Sequence, residues 1–230
     1  MRGKPWISTQ WLAQVLFAVA KNWAGWAGPV ILAAASIALT LALLARFVGR
    51  RLADIPTLVF VFVALALTIP HLLARPHVLA MPVMITFVGG LVAAMDRRGV
   101  PSPWLLPLMT VWANLHGGFV FGLALIGAAA LDVLWHAPAS ARLSLFGKWF
   151  AFGVAALPAA CITPYGWETL LGSLRILNLG KALALIGEWR AADFGLPVRW
   201  RSLCLQASAS HCGAASSCRR FGLLCCLGSC

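Results

Sequence analysis

"AGPVILAAASIALTLALLAR", residues 27–46, runs without a charge until its last residue, Arg46. A helix rises about 1.5 Å per residue, so about 20 apolar residues match the roughly 30 Å hydrocarbon core of a bilayer. The stretch therefore predicts a membrane-crossing helix. A chain crossing lipid must also satisfy its backbone polar groups internally, which leaves helices as the simplest solution for such runs.

Working outward, similar runs recur. Span 1 is 27–46, and span 2 covers about 56–74 with Pro70 near its end. Span 3 is about 77–95. Span 4, "PWLLPLMTVWA" (103–113), is short and interrupted by Pro107, so it is either re-entrant or a crossing with polar ends. Spans 5 and 6 cover about 117–136 and 145–163. Residues 8–23 open with Ser8 or Thr9 as an N-cap and are too short to span. With Trp6, Trp11, Trp23 and Trp26 around them, they predict an interfacial helix. Residues 167–187 carry Glu168, Arg175 and Lys181, which predicts a surface helix. The expected fold is an all-α, polytopic transmembrane bundle of five or six spans with interfacial helices.

Composition agrees. Of 230 residues, 61% are hydrophobic and 10% charged, against about 25% charged in a soluble domain. The net charge of +12 does not indicate nucleic-acid binding. The basic residues cluster at span ends, where anionic lipid and the positive-inside rule place them. The N-terminus is polar and no A-x-A-like site follows a short apolar core, so a cleavable signal of the usual kind is not expected.

Loop charges orient the spans. Arg46, Arg50 and Arg51, then Arg97 and Arg98, then Arg142 fall in alternate loops. Those loops are expected to be cytoplasmic, and loops 2–3 and 4–5 and the end of span 6 to face outward. The orientation assumes that span 4 crosses.

The polar motifs fall in the outward turns. In "HLLARPH" (71–77), His71 and Arg75 share a face, and Pro76 fits the first position of the next helix. Arg75 and His77 then stand at a positive helix end suited to an anion. In "NLHGGFVFG" (114–122), Gly117 and Gly118 permit a tight turn and close approach, and Asn114 and His116 can bond freed backbone groups or a ligand. "ITPYGWE" (162–168) holds a turn signature, with Tyr165 and Trp167 suited to the interface and Glu168 beside them. "GEWRAADF" (187–194) adds Glu188, Arg190 and Asp193. Each motif alone also fits a plainer role: a snorkelling arginine, a capped turn or a solvated interfacial loop. Together, Arg75, His77, Asn114, His116, Tyr165, Glu168 and Glu188 form a candidate site for a polar or anionic headgroup. Asp132 and Lys148 are expected to pair across the hairpin of spans 5 and 6. The residues offer no metal-ligand set and no cofactor motif.

The stretches "GKPWISTQWLAQVLF", "LLARPHVLAMP", "RRGVPSPWLLPLMTVWANLHGGFVFGLAL", "TPYGWETL" and "GEWRAADF" occur in that order. Over about residues 1–195 they resemble a group of bacterial polytopic membrane proteins that in turn resembles the GT-C class of glycosyltransferases. That resemblance implies a lipid-linked sugar donor, a polyprenyl phosphate sugar, used at the outer face of a bacterial inner membrane. It implies phosphate contacts from Arg75 and His77, a site lined by Asn114 and His116, and acceptor contacts from Glu168 or Glu188. The class usually carries its catalytic Asp or Glu in the first outward loop, where the carboxylate activates the acceptor or binds a divalent metal. No acidic residue precedes Asp54 here, and Asp54 falls in an expected cytoplasmic loop. On the resemblance, the first span and the acid-bearing loop are missing from this chain.

After Gly195 the composition changes to Cys, Ser and Arg, with Cys204, Cys212, Cys218, Cys225, Cys226 and Cys230. No C-x-x-C spacing is present and His211 is the one histidine nearby, which argues against a zinc module. Such residues are frequent when GC-rich DNA is read out of frame. Residues 1–195 are thus expected to be a partial transmembrane domain and 196–230 an out-of-frame, disordered tail, the alternative being a genuine cysteine-rich tail. The competing functions are a transporter or flippase for a polar lipid, which the broken span 4 would fit, and an inactive membrane fragment.

Overall fold

The computed structural model describes residues 8–69 and 73–177. Every regular element among them is an α-helix: α1 Trp11–Ala24, α2 Ala27–Gly49, α3 Asp54–Thr68, α4 Pro76–Asp96, α5 Leu105–Leu115, α6 Phe119–His136, α7 Ala139–Cys161 and α8 Trp167–Leu177. Four of them, α2, α4, α6 and α7, are long and apolar enough to cross a membrane, with α3 and α5 apolar but shorter. This is the architecture of a multi-pass integral membrane protein. His71, the segment 178–187 with Glu188, Arg190 and Asp193, and the tail 196–230 lie outside the described residues.

Local chemistry explains most boundaries. Asp54 lies in the first turn of α3, where the helix dipole favours an acid. Arg75 is extended, as a residue before proline prefers, and Pro76 opens α4. Arg98 takes a left-handed conformation (φ 48°) at the end of α4. The Arg98 and Gly99 amides then donate to Met95 and Ala94, which closes the helix in a Schellman arrangement. Gly99 in turn accepts a hydrogen bond from the Trp149 indole at 3.0 Å.

Three expectations change. Pro107 does not interrupt its span, because α5 begins at Leu105 and places Pro107 in the first turn, where a missing N–H costs nothing. Helix α7 starts six residues earlier than hydropathy indicates, at Ala139 rather than 145. Arg142 supports that start by donating from Nε to the Ala137 carbonyl at 2.9 Å. Asp132 is partnered by His136 one turn on (3.5 Å), rather than by Lys148. The i,i+4 neighbour on the same helix is the shorter reach.

The core lies between α4, α5, α6 and α7. Phe87, Met109, Phe119, Ala156 and Ala160 are fully enclosed there, with Trp112 edge-on to Phe87 at 5.7 Å. Leu105 packs at Gly90, near the end of α4, while His116 meets His77 at the start of α4. Helix α5 therefore runs antiparallel to α4 and connects the two ends of the bundle. It covers only about 16 Å itself. Residues 97–104, including the buried Pro101, occupy the remaining depth.

Candidate functional site

The starts of α1, α4, α6 and α8 and the ends of α5 and α7 gather at one end of the bundle. Asn114, 7% exposed, ties three of these elements together. Its amide nitrogen donates to the Thr110 carbonyl (2.7 Å) and to the Ile162 carbonyl at the end of α7 (2.9 Å). Its Oδ1 accepts from the Trp11 indole at 2.7 Å. Thr110 adds a bond from its hydroxyl to the Ala159 carbonyl (2.7 Å), which lies in the last turn of α7, where carbonyls lack an i+4 amide partner. The side-chain amide thus does the work of a joint. It satisfies a helix-end carbonyl at a depth where water is scarce.

His116 sits in the turn between α5 and α6. The Gly118 amide donates to its Nδ1 at 3.0 Å, so in the neutral ring the proton rests on Nε2. The His77 ring stands edge-on to it, 6.3 Å between centroids. Burial, and secondarily the neighbouring His77, pushes the His116 imidazole down from 6.5 to about 4. At neutral pH this ring is an uncharged hydrogen-bond donor. Arg75, exposed at the N-terminus of α4, is two residues from His77.

Of the two roles expected of Gly117 and Gly118, a tight turn and close approach, the contacts at Gly117 show close approach. Among the described residues only Gly25, Gly166 and Arg98 have positive φ, so the turn at 116–118 does not use glycine's left-handed freedom. It uses the missing side chain. A Cβ on Gly117 would stand 2.9 Å from Ser173 Oγ of α8, with Thr9 Oγ1 at 3.8 Å. Ser173 Oγ is the one buried side-chain polar atom among the described residues without a hydrogen bond. The "TPYG" turn is observed at 163–166, and there Gly166 does need its positive φ of 54°.

The structure therefore brings His77 and His116 together, with Asn114 two residues before His116 but bonded to Trp11, Thr110 and Ile162 and Arg75 two residues before His77. Tyr165 and Glu168 are half-buried at the start of α8, linked by the Glu168 amide to the Tyr165 carbonyl (3.1 Å). Among the described residues, no hydrogen bond, ion pair or ring contact joins either side chain to Asn114 or His116. Trp11, Thr9, Thr110 and Ser173 are additional participants. Sequence reading marked Trp11 only as an interfacial anchor. Ser173 carries no signal beyond its position on the polar side of an amphipathic segment. Beside Asn114, an open cleft of about 420 Å³ runs between α1, α5 and α7, walled by Trp11, Leu12, Val111 and Ile162. Among the described residues no cluster of three or more metal-ligating side chains occurs. Compared with models of known families, with curated proteins and with solved structures, the chain matches none.

Proposed function

We propose that this chain is part of a glycosyltransferase-like protein of a bacterial inner membrane that binds a lipid-linked sugar phosphate at the outer face. The observation that carries the reading is the meeting of the His77 and His116 rings at one end of the bundle, two residues from Arg75 and Asn114 respectively. Arg75 supplies charge for a phosphate, and the His116 Nε2–H supplies an orienting donor that stays neutral in a buried place. Asn114 holds α1, α5 and α7 in register beneath them. The open cleft between these helices offers an apolar wall for a prenyl chain. Trp112, Met109 and Phe87 fill the bundle below the turn, which favours a binding site over a transport pathway. These residues bind and orient; the carboxylate that a transfer reaction needs is not assigned to any of them.

Binding is therefore the decisive measurement. The full chain in nanodiscs is titrated with radiolabelled polyprenyl-phosphate sugars, with uncharged polyprenol as the control. Saturable binding above the control is expected. Arg75→Gln and His116→Ala should each weaken it by about ten-fold, the worth of one charge-assisted contact. Binding no stronger than that of polyprenol, across the common sugars, removes the reading.

A further inference from the structure

We propose that the arginine-rich end of the seam between α2 and α4 binds the headgroup phosphate of a single anionic phospholipid, with an acyl chain laid along the same seam. The site is at the opposite end of the bundle from Asn114 and His116 and is independent of the function proposed above.

The headgroup part is a cavity of about 240 Å³ lined by Phe47, Arg50, Arg51, Gly89, Ala93 and Asp96. Gly89 gives it a flat aromatic wall. A Cβ there would lie 3.2 Å from Phe47 Cδ2, so the ring rests directly on α4. Arg51 lies 4.3 Å over that ring, donates to the Phe47 carbonyl (3.2 Å) and pairs with Asp96. These contacts fix Arg51 and neutralise Asp96. Arg50 lines the same cavity, and its side chain makes no hydrogen bond or ion pair among the described residues. Arg46, Arg97 and Arg98 are exposed at the same end. The carbonyl ends of α2 and α4 also face this end and disfavour an anion, but each amounts to only about half a charge. The arginines outweigh them. A fixed guanidinium beside an unpaired one matches the oxygens of a phosphodiester.

The same seam carries a second cleft, of about 160 Å³, whose walls include Leu41 and Leu44 of α2, Leu65 of α3 and Met84 and Ile85 of α4. Thr40 in its wall donates its hydroxyl to the Ser36 carbonyl (2.7 Å), so the face it presents is apolar. Leu44 precedes Phe47 by three positions and Ile85 precedes Gly89 by four. A chain leaving the headgroup cavity thus reaches the apolar cleft within about one helical turn. Free phosphate would occupy the first cavity alone, whereas a phospholipid fills both, and that pairing favours the lipid.

The test uses the full chain in detergent, titrated with phosphatidylglycerol, phosphatidylcholine or inorganic phosphate. Bound lipid is counted by native mass spectrometry and protection is followed by thermal unfolding. Phosphatidylglycerol should bind at least about five-fold more tightly than phosphatidylcholine, the worth of one arginine near an anionic headgroup. Arg50→Gln should abolish that preference. Asp96→Asn, which releases Arg51 and deletes the competing carboxylate, should raise phosphatidylglycerol affinity by a similar factor. Leu44→Trp should fill the apolar cleft and weaken phosphatidylglycerol without changing the response to phosphate. Equal affinity for the two lipids, an unchanged preference in Arg50→Gln, or protection by phosphate equal to that by phosphatidylglycerol overturns the proposal.

Discussion

His116 shows what a polar residue costs and gains at the end of an apolar bundle. Its folded pKa of about 4 lies below the ordinary value of 6.5. Between those values the unfolded chain binds more protons, so stability rises with pH across this window. The contribution is complete above pH 6.5 and is lost as pH falls toward 4. After discounting for partial solvent exposure, the loss amounts to roughly 1–2 kcal/mol. Unfolding of the protein in detergent, followed from pH 7 to 4, should show it, and His116→Gln should lack that increment. A variant with the same acid profile as the parent would show that the ring titrates normally. The sequence made His116 and Asn114 visible, because an imidazole and an amide are conspicuous inside an apolar run. Their partners were not visible. Trp11 is 103 residues from Asn114, and only the packing of α1 against α5 brings them together. Ser173 was invisible for the opposite reason, since a serine on an amphipathic helix looks like any solvated surface position.

At the scale of elements, long apolar runs announced α2, α4 and α6 to within a few residues. The boundaries that differ are those where the effect of a residue depends on its position in the helix. Pro107 counts as a breaker only inside a helix, and α5 begins two residues before it. The early start of α7 was hidden because its first turn is polar, and its anchor is an arginine bonding a preceding carbonyl. The glycines of α6 show how contact decides what a residue type means. A Cβ on Gly122 would stand 2.6 Å from Trp112 Cζ3 and 3.2 Å from Met109 Cε, whereas one on Gly127 would meet nothing within 4 Å. Gly122→Ala should therefore destabilise the protein by about 1–3 kcal/mol through overpacking of a rigid indole. Gly127→Ala should stabilise it by up to about 1 kcal/mol through helix propensity alone. Thermal unfolding of the two variants in one detergent decides this. Shifts of the same sign would mean that α5 and α6 are not packed as described.

At the scale of the molecule, charge separates the two ends. Arg46, Arg50, Arg51, Arg97, Arg98 and Arg142 stand at the end where α2, α4 and α6 finish, while Lys21, Arg75 and Arg175 belong to helices and turns at the other. That segregation was legible in the sequence only on the assumption that the short α5 passes between the ends, and its antiparallel packing on α4 supplies the missing support. On the positive-inside rule the arginine-rich end is expected in the cytoplasm and the His77–His116 end outside. Single cysteines at the exposed positions Ser102, Ser140, Ala74 and Pro164, in a background stripped of the seven native cysteines, read this out with a membrane-impermeant maleimide. Ser102→Cys and Ser140→Cys should react only after the membrane is opened, and Ala74→Cys and Pro164→Cys in intact cells. A re-entrant α5 would invert everything after it. Ser102→Cys and Pro164→Cys would then react from the same side, while Ser102→Cys and Ser140→Cys would part. In that event His77 and His116 could not share an end in the membrane, and the proposed headgroup site would fall with the topology that builds it.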